Sequence, residues 1–156
     1  MKALLASLVL FACHGLAERP APRSVEWLQK GCEAIIAFDK DPAKMTEDER
    51  TLATELKCMF DGFGTGIATA SLGLGENSTV LEIDYIQTFP GETAERVLAF
   101  CRQYQKFFKP GTSASRVLQA WYLSSHPKAT REQRTMGLLL LDPANKELAK
   151  IAADLK

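Results

Sequence analysis

Apolar residues recur at helical spacing along most of the chain. Val25, Leu28, Cys32 and Ile35 lie one turn apart, with Trp27, Ile36 and Phe38 widening the stripe and Ser24 placed to cap it. Asp39-Lys40-Asp41-Pro42 ends this first helix, because the residue before a proline is pushed out of helical dihedrals. Thr46-Glu47-Asp48-Glu49 is a capping box with its acids where the helix dipole favours negative charge. Leu52, Leu56, Met59, Phe60, Phe63 and Ile67 carry that second stripe onward and leave Cys58 beside the core face. Gly62, Gly64 and Gly66 fall inside it, and each costs about 1 kcal/mol relative to alanine, which predicts either close helix packing across Gly62 and Gly66 or a break.

The pattern loosens from Leu72 to Pro90, where Leu81, Ile83 and Tyr85 alternate and read as a short strand or an ordered loop. Helical spacing resumes with Ala94, Val97, Leu98, Cys101 and Phe108 and stops at Pro110-Gly111, so Cys101 is expected inside. Thr112 or Ser113 caps a short helix with Val117, Leu118, Trp121 and Tyr122 on its apolar face, ending near His126-Pro127. Thr130-Arg131-Glu132-Gln133 is a second capping box, opening the segment that holds Met136 and Leu138 to Leu141. Asp142-Pro143 reads as the cap and first position of a last helix bearing Ala144, Leu148, Ile151 and Leu155. The expected fold is all-α, a compact multi-helix bundle with an irregular or β-like insertion around residues 72–90.

The N-terminus changes the cellular picture. Lys2 precedes an apolar run from Ala3 to Ala12 that is too short to span a bilayer, and Gly15-Leu16-Ala17 offers a small-x-small cleavage site. Residues 1–17 therefore read as a signal peptide and residues 18–156 as one exported helical domain. A competing lipobox reading of Leu10-Phe11-Ala12-Cys13 would put lipid on Cys13, and only then is a membrane expected as a partner. The 19 Lys and Arg balance 19 Asp and Glu, so no global field is available to hold nucleic acid.

Export brings the cysteines into an oxidising setting, and Cys32, Cys58 and Cys101 remain after signal removal, enough for one internal pair and one leftover thiol. A Cys32–Cys58 pair would join the first two helices across about 25 residues and contribute on the order of 3 kcal/mol by loop entropy. The alternative is two reduced core cysteines. No C-x-x-C unit points to zinc or redox catalysis.

Catalytic motifs are not apparent. His126 is the one histidine left in the mature chain and reads as a surface or helix-end residue. Gly62-Phe63-Gly64-Thr65-Gly66 follows a helix instead of a strand and lacks the Gly-Lys-Ser/Thr ending of a phosphate loop. Asp39, Asp41, Glu47, Asp48 and Glu49 lack the ligand spacing and central glycine of a calcium loop. No enzyme activity, metal or cofactor is expected.

The order of features resembles the Tai-type immunity proteins, small exported proteins that neutralise peptidoglycan amidase effectors delivered by type VI secretion. The matching residues are the signal peptide, Cys32, Cys58 followed by Gly62-Phe63-x-x-Gly66-Ile67, and Phe107-Phe108-Lys109-Pro110-Gly111 leading through Val117-Leu118 and Trp121-Tyr122-Leu123 to His126-Pro127. Phe108 stands where that family has a cysteine, and Leu138 to Asp142 lack the C-terminal partner, so its second disulfide has no counterpart here. The likeness covers mainly residues 25–70 and 107–141. It implies a compact helical fold, often a homodimer, that binds an amidase in the periplasm and blocks its substrate groove. Glu76, Asn77, Glu82 and Asp84, polar residues of the irregular stretch, are the expected partner-contact residues, since loops on a rigid scaffold commonly carry binding. The alternative is a general periplasmic helical protein or lipoprotein serving envelope stress or assembly.

Overall fold

The structure is a computed structural model that describes residues 21–74 and 90–155, without the side chains of residues 65–74 and 90. The described residues form six α-helices joined by turns and two 3₁₀ turns, and no strand occurs among them: α1 Val25–Lys40, α2 Glu47–Leu74, α3 Pro90–Tyr104, α4 Ala114–Ser125, α5 Arg131–Leu139 and α6 Lys146–Ala153. The all-α expectation holds. Residues 1–17, expected to be a signal peptide and including Cys13, and most of the segment around residues 72–90 lie outside the described residues, although α2 runs two residues past Leu72, to Leu74.

Helix starts follow local side-chain chemistry. Ser24 Oγ accepts the Trp27 N–H at 3.0 Å, satisfying one of the free amides of α1. At Thr46 the box closes both ways: Oγ1 accepts from Glu49 N at 3.2 Å and Glu49 Oε2 accepts from Thr46 N at 2.8 Å. Those bonds stabilise the ionised carboxylate and lower the Glu49 pKa, chiefly through the Thr46 amide. The Thr130–Gln133 box forms likewise, and Ser113 caps α4 by accepting from Arg116 N. Thr112 acts in the turn before, where its hydroxyl accepts from Lys109 N at 3.0 Å.

α1 is the central element, packing along α2 on one side and α3 on the other, while α5 packs against α4 and α6. Trp27, Leu28, Cys32 and Ile35 of α1 enter the core as the spacing predicts, but Phe38 is 37% exposed with Lys57 Nζ 4.1 Å above its ring. The α1–α2 contact is close at Gly31, where an added Cβ would sit 2.8 Å from Leu56 Cδ2. Among the glycines of α2, Gly62 departs from expectation. The helix runs unbroken through them, and Gly62 has open space around it, so it neither breaks the helix nor admits a neighbour.

Two ends are also corrected. α3 stops at Tyr104 and tightens into a 3₁₀ turn, Gln105–Phe107, before Pro110-Gly111 is reached. α6 is capped by Asn145, whose Oδ1 accepts from Leu148 N at 3.0 Å, and starts three residues after Pro143. Asp142 has another partner: Lys109 Nζ lies 2.9 Å from its Oδ1 and ties the α3–α4 connection to the α5–α6 connection. Ala144 consequently stays exposed, while Leu148 and Ala152 form the buried stripe of α6.

The Asp142 carboxyl is held below the usual carboxylate range by the Lys109 hydrogen bond, against an opposing effect of desolvation, with the Ala144 N–H also favouring the charged form. A folded-state pKa below the unfolded one adds stability at pH values above the unfolded pKa, and this is lost as pH falls through the folded value. Asp142→Asn is therefore expected to be less stable than the wild type at pH 7, with the gap closing at about pH 2, below the ordinary aspartate range. Urea midpoints of both proteins at the two pH values check this, and a gap that stays constant would contradict it.

Candidate functional site

The N-terminal ends of α1 and α4 meet. Ser24 and Ser113 form an isolated antiparallel bridge, and Ala114 N donates to the Arg23 carbonyl at 2.7 Å. To aim that carbonyl, Arg23 takes φ 62°, a left-handed conformation that costs a non-glycine residue on the order of 1–2 kcal/mol. The bond in return satisfies an amide at the start of α4 that has no partner within its own helix.

Beside this junction a groove of about 710 Å³ opens between the start of α1 and the middle of α2. Trp27 is buried at its base, and its Nε1 donates to Glu55 Oε2 at 3.3 Å. Pro22, Arg23, Thr54, Cys58, Met59 and Ser115 complete the lining. An indole, a guanidinium, a carboxylate and a thioether on one concave face suit contact with another protein, because Trp, Arg and Met are enriched where partners bury surface. A smaller recess of about 450 Å³ lies along α1 and α3 between Glu33 and Lys40.

Cys32 and Cys58 are not brought together. Both are free thiols, as is Cys101; Cys32 is fully buried, whereas Cys58 is exposed on the groove wall. The reason is helical phase. Leu56 packs against α1 at Gly31, and Cys58, two residues later, is turned about 200° around the axis from it. The expected bridge is thus corrected. Cys101 lies inside, as its spacing predicts, and burial pushes its pKa up to about 12, while burial and the neighbouring Cys101 raise that of Cys32. In the reduced, folded protein Cys58 is expected to be alkylated by iodoacetamide while Cys32 and Cys101 react only after unfolding. Mass mapping of the label checks this, and native labelling at Cys32 or Cys101 would contradict it.

His126 ends α4 but is buried instead of lying on the surface. Its Nδ1 accepts from Lys128 N at 3.1 Å, and its ring lies 5.3 Å from that of Tyr122. Tyr122 in turn meets Phe63 edge-to-face, with ring centres 5.8 Å apart. Among the described residues no group of three or more His, Cys, Asp or Glu could hold a metal ion, and no helix is long and apolar enough to cross a membrane. Glu76, Asn77, Glu82 and Asp84 lie outside the described residues. The groove itself escapes sequence reading: Thr54, Glu55, Cys58 and Met59 share a helix face by spacing, but nothing local brings Arg23 and Ser115 to it.

Comparison of the chain with protein families, with curated proteins and with solved structures gives no match.

Proposed function

We propose that this protein is an exported immunity protein that binds a peptidoglycan amidase effector of type VI secretion and neutralises it by occluding its substrate groove. The observation that carries the reading is the contact of Phe63 with Tyr122, which His126 extends. Phe63 belongs to the first stretch that resembles Tai-type immunity proteins, and Tyr122 and His126 belong to the second, so residues far apart in sequence act as one packing unit.

Contact inhibition requires a rigid body that presents a surface, and reciprocal capping together with a continuous core supplies rigidity here. The groove beside Trp27 is the surface we assign to the partner, with Glu76, Asn77, Glu82 and Asp84 as further contact residues. Export to the periplasm puts the inhibitor where the amidase meets peptidoglycan. Co-expression of the full chain with periplasm-directed amidase effectors tests the reading. Protection from lysis together with a copurified complex is the expected result, and lysis at the uninhibited rate with every cognate candidate would overturn it.

A further inference from the structure

Two buried thiols lie on the packed helices α1 and α3. Cys32 and Cys101 have no exposed surface, and the register of their helices is set by two contacts, one beside the cysteines and one toward the other end of the helix pair. Glu33 Oε1 lies 3.6 Å from Arg102 Nη2, and the Asp39 carboxylate lies against Gly91. Residue numbers that rise on α1 as they fall on α3 define an antiparallel pair, and that register puts residue 32 opposite the C-terminal turns of α3, where Cys101 lies. Helices packed about 8–10 Å apart, with Cα atoms about 2.3 Å from each axis, bring facing Cα atoms near the ~4.4–6.8 Å that a disulfide spans. The sulfurs also sense one another, since charge on Cys101 disfavours charge on Cys32.

We propose that Cys32 and Cys101 form the disulfide of this protein in an oxidising compartment, joining α1 to α3 and leaving Cys58 as a free thiol in the groove. One protein thiolate attacks a disulfide donor such as glutathione disulfide, expelling one donor thiolate and forming a mixed disulfide. The second cysteine then attacks the protein-side sulfur and expels the other donor half. Two protein thiols lose two protons and two electrons, and one donor disulfide becomes two donor thiols. Burial keeps both sulfurs protonated and out of reach of the donor once folded, so the exchange belongs to the folding chain or to an opened α1–α3 interface. The bond does not depend on the identity of the binding partner.

Oxidative refolding of the full chain in reduced and oxidised glutathione, followed by alkylation and peptide mapping without reductant, tests the pairing. The expected map contains one cross-linked species joining the Cys32 and Cys101 peptides, two hydrogens lighter than the reduced pair, with Cys58 alkylated. Cys58→Ser retains that species, and Cys101→Ser loses it. The wild-type map decides even if Cys101→Ser does not fold. Alkylation of both Cys32 and Cys101 after oxidative refolding, or a link from Cys32 to Cys58, would overturn the assignment.

Discussion

Trp121→Ala is expected to lower unfolding stability by about 3–5 kcal/mol, the range for truncating a large aromatic side chain in a packed core. Trp121 heads the fully buried side chains by volume and is 1% exposed, so its removal leaves a cavity that the surrounding helices can only partly close. Total stabilities of about 5–15 kcal/mol are ordinary for domains, and a loss of this size would leave a substantial unfolded fraction on mild heating. Urea denaturation measures it as a lowered midpoint with an unchanged slope. A loss under about 1 kcal/mol would mean that α4 does not sit in the core as described.

Gly137→Ala gives the second large effect, and its sign opposes helix propensity. Alanine in a helix interior is better than glycine by about 1 kcal/mol, yet the added Cβ would lie 2.7 Å from Leu123 Cβ and 2.9 Å from Ser124 N of the facing helix. Backbone atoms cannot swing aside as a flexible side chain can. The α4–α5 contact must therefore open, at a cost of about 1–3 kcal/mol for overpacking. Gly62→Ala is the internal comparison: nothing lies within 4 Å of its Cβ, and the substitution is expected to stabilise by about 1 kcal/mol. Thermal melts of the two variants should move in opposite directions from the wild type. A shift of both in the same direction would contradict the packing described for one of them.

What was readable from the residues was mainly local. The boxes at Thr46 and Thr130 and the caps at Ser24 and Ser113 join groups three residues apart, and all four form. The buried stripes of α1 and α4 follow from helical period alone. Reading failed where a distant residue captured a local group. Asp142 precedes a proline and has the chemistry of a cap, but Lys109 engages its carboxylate and Asn145 caps the helix instead. The Cys32–Cys58 pairing also failed on long-range geometry. Helical phase already put Cys58 beside the core, but the position of Cys32 relative to the other cysteines depends on how α1 packs against α2 and α3, which only the assembled fold defines. The groove likewise needs the Arg23 carbonyl to meet the Ala114 amide, a contact between segments separated by most of the chain.

Inhibition by contact is measured most directly by titrating the purified protein into a peptidoglycan amidase effector and following hydrolysis of isolated sacculi. Activity should fall in proportion to added protein, reach its floor at a fixed molar ratio, and coincide with a complex that survives size-exclusion chromatography. Full amidase activity in a molar excess of the protein, for each cognate effector tried, would contradict the proposed role.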